Sequence, residues 1–276
     1  MGGGRDMSDF IHLYKHQNKF PHVMLRRRLT VHARSPLEFV RIGSARPTAL
    51  VAMFHGLGGN ENELRPTAER WLAALPSVGF LLLRSPYRDY HGRELKSGAW
   101  SGDWYPFPHL RSAFGADEDG YSRMVTQVVS ESCEHVNGEL DKHLASLCLG
   151  NDQLILAGFS QGAAISAYTG LRRRCLGVLP MGGPCPPRLA LLPDNDVTAV
   201  CVVVGDADHC VQYEELKAGF AKYPVRCKAS GVHVIPNQGH IVSEASEAIG
   251  LAFLRSCLAS KPSYERRGER SSHHRS

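Results

Sequence analysis

The sequence predicts an α/β protein: a mainly parallel central sheet covered by helices on both faces. Two observations carry that prediction. Unbroken apolar runs, Ala49 to Phe54, Leu154 to Ala157 and Val200 to Val204, read as strands buried on both sides. Between them lie segments whose apolar residues recur at helical spacing, so strands and helices alternate along the chain. A third feature places chemistry on this frame: Gly158-Phe159-Ser160-Gln161-Gly162 joins one apolar run to a small-residue helical stretch.

In order, Val23 to Val31 and Leu37 to Ile42 read as two early strands split by Arg34-Ser35-Pro36, a candidate edge hairpin. The strand from Ala49 runs into His55-Gly56-Leu57-Gly58-Gly59-Asn60. Asn60 is placed to cap the next helix with Glu63 in its first turn, and Leu64, Ala68, Trp71, Leu72 and Leu75 form its buried stripe. Val78 to Leu83 is another strand, Pro86 to Phe114 is irregular, and Tyr121 to Leu147 is a helix stopped at Gly150. After the serine strand and its helix come strands at Leu176 to Leu179 and Val197 to Val204. A helix at Tyr213 to Phe220, a strand at Val225 to Ile235 and an amphipathic helix at Glu244 to Leu258 complete the pattern.

The chain of 276 residues is 43% hydrophobic and 21% charged, a globular composition able to fill one core. The organisation expected is an N-terminal extension over 1–20, one domain over 21–260 with an insert at 86–114, and a basic disordered tail over 261–276. That tail holds five Lys or Arg against two Glu, so the net charge of +5 is concentrated there. It implies no nucleic-acid partner and at most transient contact with a membrane surface. No apolar run reaches the roughly 20 residues of a membrane span, and the start lacks a secretory apolar core. Gly2 is placed for myristoylation, but Asp6 stands where Ser or Thr is wanted, which argues against a lipid anchor. Eight cysteines without CxxC pairs suit reduced thiols in the cytoplasm and support neither a zinc site nor a disulfide framework.

A serine hydroxyl becomes a nucleophile when a histidine oriented by a carboxylate takes its proton. With Ser160 as nucleophile, the partners in chain order are an acid and then a base on loops after later strands, the arrangement of the α/β-hydrolase fold. Asp208 in Gly205-Asp206-Ala207-Asp208 is the expected acid, with Asp206 serving its own turn backbone. His240 is the expected base, because it follows the last strand. His233 lies inside that strand, and His209 is only Asp208's neighbour. The oxyanion requires two backbone N–H donors, assigned to Gln161 and to Leu57 in the glycine loop. A plain strand-to-helix turn is the alternative for that loop, and a phosphate cradle is disfavoured because no GK[ST] follows. Of the chain's 10 Phe, 3 Trp and 9 Tyr, seven crowd into 86–114, including Trp100, Trp104 and Tyr105. An acyl-binding flap and a mini-core that orders the loop both fit this crowding.

These blocks together resemble the phospholipase/carboxylesterase family of α/β hydrolases, which includes the acyl-protein thioesterases. The resemblance runs over about residues 45–258 and rests on His55-Gly56-Leu57-Gly58, GFSQG followed by Ala163-Ala164-Ile165-Ser166, Gly205 to Asp208, and Gly239-His240. It implies Ser160, Asp208 and His240 as the triad and Leu57 and Gln161 as oxyanion donors, and it matches Trp104-Tyr105 to an aromatic pair near the substrate. It also implies cleavage of acyl thioesters on S-acylated proteins, or of small carboxyl esters and lysophospholipids, without metal or cofactor. A short-chain carboxylesterase and a non-hydrolytic binding protein are the rival readings, and oligomeric state is not specified. Two departures from the family pattern are Gly59-Asn60 where many members have Asp-Thr, and His209-Cys210-Val211-Gln212 where a proline-rich segment is usual.

Overall fold

The computed structural model describes residues 37–88, 102–105, 118–183, 195–211, 213–221 and 229–260. The expected strand at 23–31, the N-terminal extension, most of the insert and the basic tail lie outside the described residues. Within them the chain runs β1 (Phe39–Gly43), β2 (Ala49–Phe54), α1 (Arg65–Ala74), β3 (Val78–Leu83), β4 (Tyr87–Arg88) and β5 (Gly102–Asp103). It continues through α2 (Glu118–Leu147), β6 (Leu154–Phe159), α3 (Gln161–Arg173), β7 (Gly177–Met181), β8 (Ala199–Gly205), α4 (Tyr213–Phe220), β9 (Gly231–Ile235) and α5 (Glu244–Ala259).

Seven of these strands form one sheet in the order β1-β3-β2-β6-β7-β8-β9, parallel throughout except for β1, which pairs antiparallel with β3 at the edge. Alternation within each strand divides its side chains between two cores. Leu50, Ala52 and Phe54 join α2, α3 and α4 on one face, whereas Val51 and Met53 meet α1 and α5 on the other. Both faces of the expected sheet are therefore covered.

Some boundaries differ from the expectation for local reasons. Helix α1 begins at Arg65, not after Asn60, with Pro66 in its first turn and no side-chain cap. The Asn60 side chain instead accepts the Asn62 N–H at 2.8 Å in a preceding turn, and the Glu63 carboxylate is engaged elsewhere. Helix α2 ends at Leu147 through Cys148, whose φ of 53° lets Leu149 N–H reach Leu144 O at 2.9 Å. Gly150 is thus not the stop; it precedes a 3-10 turn at Asn151–Gln153. Residues 86–114, read as irregular, contain the short antiparallel pair β4–β5, with Tyr87 opposite Asp103.

Trp71 joins α1 to α5. Its ring is 1% exposed, its indole N–H donates to Glu247 O at 3.0 Å, and a Cβ on Gly250 would lie 2.5 Å from the ring. The Glu247 carboxylate accepts Thr67 Oγ1 and Arg70 Nε, each at 2.6 Å. Truncation to Trp71→Ala leaves a cavity that rigid neighbours cannot fill, at an expected cost of about 3–5 kcal/mol. Denaturant unfolding of the variant checks this, and a loss below about 1 kcal/mol would show that the seam contributes little.

Candidate active site

The turn after β6 is made by two backbone crossings that only glycine permits. A Cβ on Gly158 would lie 2.2 Å from Gly162 O, and one on Gly162 would lie 2.2 Å from Phe54 O. The chain therefore reverses sharply between β6 and α3, and Ser160 takes φ 53° and ψ −119°, a region that L-residues rarely occupy. Ser160 N–H is held by Met181 O at 3.0 Å, and the hydroxyl projects from the carboxyl edge of the sheet.

Asp208 and His240 come from adjacent loops, after β8 and β9, that are bonded to each other. Ala207 N–H donates to Gln238 O at 3.1 Å, and Asp206 Oδ1 accepts Asn237 N–H at 2.6 Å. Asp206 therefore serves the histidine loop, not its own turn as expected. Gly205 allows this approach, since a Cβ there would sit 1.9 Å from Gln238 O. The Gln238 side chain accepts the Ser246 hydroxyl at 3.1 Å and the Ser243 hydroxyl, fixing the loop to the capped start of α5.

These constraints align three side chains. His240 Nε2 is 2.9 Å from Ser160 Oγ, and His240 Nδ1 is 2.8 Å from Asp208 Oδ2. The Asp208 side chain is 1% exposed and its Oδ1 accepts Cys210 N–H at 2.8 Å, so the carboxylate is both dry and oriented. The Phe159 ring lies 4.8 Å from the imidazole of His240. His233 is turned to Ala229 O at 3.0 Å and His209 is exposed, so neither joins the group.

The glycine loop after β2 faces this group, and its N–H groups are almost all committed. Gly56 N–H goes to Glu63 Oε2 at 2.9 Å, Gly58 N–H to Gly102 O and Asp103 Oδ1, and Gly59 N–H to Gly56 O. Leu57 N–H and Gln161 N–H have no acceptor among the described residues. Residues 102–105 brace the loop from behind. Gly102 N–H donates to Gly59 O at 2.9 Å, and the Trp104 indole donates to His55 O at 2.9 Å. Gln161 Oε1 accepts Trp104 N–H at 2.7 Å, while its Nε2 donates to Tyr105 O. Trp104 is 0% and Tyr105 2% exposed, so both are packed behind the loop and present no open surface for a substrate to line.

Three contributors were not legible as such in the sequence. His55 is buried, with Nδ1 on Gly56 O at 2.7 Å and Nε2 accepting Ser85 N–H at 3.0 Å. Burial pushes its pKa down to about 4, so it is a neutral strut. Glu63 is exposed as a residue, but its carboxylate turns in against Gly56. Burial raises its pKa against the pull of that N–H and of His240. Ser132 on α2 donates to Trp104 O. Each is a single polar residue: His55 and Ser132 reach partners about 30 residues away, and Glu63 turns back seven residues to Gly56, so no repeating local pattern marks them.

With this geometry in hand, comparison with known proteins is decisive on the family. The sequence profile of the phospholipase/carboxylesterase family matches residues 36–258. The chain belongs to the phospholipase/carboxylesterase family. Members of that family are esterases and thioesterases of the hydrolase class. Among curated relatives, acyl-protein thioesterase 1 of Mycosarcoma maydis is 26% identical over 61% of this chain and 72% of its own length. The protein of the same name from Cryptococcus neoformans is 28% identical over 48% of this chain and 52% of its own. Among solved structures, esterase PE8 superposes with a TM-score of 0.64 at 20% identity, over 80% of this chain and 99% of PE8. The Bacillus cereus carboxylesterase gives 0.57 at 18% identity, over 83% and 99%. These structural likenesses bear on the fold, and they agree with the α/β-hydrolase architecture described above. No helix among the described residues is long and apolar enough to cross a membrane.

The depressed pKa of His55 has a consequence for stability. Below its unfolded value near 6.5 the unfolded chain takes up a proton that the folded chain refuses, so stability falls as pH drops from about 6.5 toward 4. The loss assigned to this residue is on the order of 3 kcal/mol at the acid end. His55→Gln is expected to be less stable at neutral pH but to show a shallower slope of Tm against pH over that interval. Parallel slopes in the two proteins would rule out the neutral-strut reading.

Proposed function

We propose that Ser160, His240 and Asp208 are a catalytic triad and that the protein hydrolyses acyl esters or thioesters through an acyl-enzyme. The observation that carries this reading is the continuous relay from Ser160 Oγ to His240 Nε2 at 2.9 Å and from His240 Nδ1 to Asp208 Oδ2 at 2.8 Å. In the first half-reaction Ser160 Oγ attacks the acyl carbon while its proton passes to His240 Nε2. The negative charge on the carbonyl oxygen is met by the N–H groups of Leu57 and Gln161. His240 then returns the proton to the leaving thiol or alcohol, and the acyl group remains on Ser160. Water, deprotonated by the same nitrogen, attacks the acyl-enzyme and releases the free acid. Asp208 keeps Nδ1 protonated throughout, leaving Nε2 free to accept.

Within this chemistry we place the protein as an acyl-protein thioesterase acting on S-acylated proteins, without metal or cofactor. The names of its curated relatives support that assignment. So does an apolar rim of the half-buried Leu57 and Phe159 and of Ile241, 58% exposed beside His240. Trp104 and Tyr105 are given a positioning role: they hold the loop that carries Leu57 and the side chain of Gln161.

Two measurements test these roles. Ser160→Ala and His240→Ala should each lower kcat by roughly the same factor, on the order of 10⁶ or to the detection floor, because a triad acts as a unit. Substantial turnover by His240→Ala would transfer the base role to another group. Trp104→Phe removes the indole donor to His55 O but keeps a ring. It should lower kcat by about two- to tenfold, equally for acetyl and long-chain substrates. A selective loss on long thioesters would instead put Trp104 in the acyl groove, and an optimum at short oxyesters in the unmodified protein would make it a carboxylesterase.

A further inference from the structure

The loop after Asp208 carries a thiol that the proposed hydrolysis does not use. Cys210 is exposed, two residues beyond Asp208, and its own N–H holds the carboxylate. One ligand atom from each of Asp208, Cys210 and His240 lies within 4.8 Å of the others, the one such trio among the described residues. Thiolate, imidazole and carboxylate together are a donor set for a borderline-soft cation that accepts tetrahedral geometry, of which Zn²⁺ is the common case.

The geometry points to an inhibitory Zn²⁺ site formed by Asp208, Cys210 and His240, built over the relay itself. Two light-atom ligands of a tetrahedral zinc stand about 3.3 Å apart, given bonds of about 2.0 Å. The present Nδ1 to Oδ2 separation of 2.8 Å therefore has to open only slightly. The fourth position is left for water, as in sites with three protein ligands.

The proton balance explains the inhibition. Before binding, His240 carries its proton on Nδ1, Nε2 holds a lone pair toward Ser160 Oγ, and Cys210 is a thiol. Zinc takes the Nδ1 lone pair, so the ring proton moves to Nε2. Zinc also takes the Cys210 sulfur, whose proton leaves to solvent. One proton is released in total, no bond is oxidised or reduced, and Ser160 now faces an N–H that cannot accept its proton. Chelation of the metal reverses every step.

The inhibitory consequence rests on the triad reading, whereas binding does not, and the experiment separates the two. The full chain, freed of metal with a chelator, is titrated with Co²⁺ while the near-ultraviolet thiolate-to-cobalt band is followed, and Zn²⁺ is then added as competitor. Ester hydrolysis is measured in parallel across buffered Zn²⁺ concentrations, each variant against its own metal-free rate. The site requires a band in the wild type that Zn²⁺ displaces, that survives Cys148→Ser and that is lost in Cys210→Ser. It also requires that Cys210→Ser raise the half-inhibitory Zn²⁺ concentration by at least about tenfold, as even outer-sphere changes can. No band, or a band and an inhibition curve untouched by Cys210→Ser, would overturn it. A Cys210-dependent band on a chain with no esterase turnover would keep the metal site and remove the triad reading.

Discussion

The contact on which the site depends is the crossing of α3 over the end of β2. Gly162 lies against Phe54 O and His55 O with no room for a methyl group, since a Cβ would sit 2.2 and 2.4 Å from those atoms. That crossing sets the gap between Leu57 N–H, on the loop leaving β2, and Gln161 N–H, at the start of α3. Both donors belong to backbone, so their spacing is decided by how closely two main chains approach. The Ser160 dihedrals are a consequence, because the chain must reverse within one residue to leave β6 and enter α3 in that clearance.

Around this crossing the protein spends its buried polar groups on holding loops. His55 ties the glycine loop to Ser85 after β3, Glu63 takes Gly56 N–H, and Gly102 to Tyr105 link Gly58 and Gly59 to the side chain of Gln161. Arg84, next to Ser85, bonds Glu61 with its Nη2 at 2.6 Å from Oε1, pinning the far end of the same loop. Buried polar groups in such a network stay satisfied only in one arrangement, so the loop is held by hydrogen-bond accounting and not by hydrophobic packing alone. The second pair of loops, after β8 and β9, follows the same plan through Asp206, Gly205 and Gln238.

Much of this was legible in the chain, for reasons that differ by residue. The strands Ala49–Phe54, Val78–Leu83 and Ala199–Gly205 read clearly because they are buried on both faces and therefore uniformly apolar. Ser160 was marked by its glycines, Gly158 because it meets Gly162 O four residues on and Gly162 because it meets Phe54 O across the sheet. Asp208 and His240 were marked by chain order on loops at strand ends. The start of α1 was misplaced because Asn60 and Glu63 look like a capping pair, while Glu63 is drawn off by an N–H seven residues before it. The end of α2 at Leu147 was read correctly, but its stop was assigned to Gly150, because the left-handed conformation is taken by Cys148, where composition points to glycine.

The sequence by itself determined the alternating architecture, the serine turn and the order of the groups that meet around it. Those properties are written in hydrophobic period and in the glycines that close backbone approach demands, both of which a linear pattern records. The tertiary structure alone decided that Trp104 and Tyr105 are buried braces, that Asp206 serves the neighbouring loop, and that Cys210 stands beside Asp208 and His240. Each of these depends on which distant segments become adjacent when the sheet orders itself β2-β6-β7-β8-β9. Adjacency of that kind is set by packing across the whole core, and no window of sequence contains it.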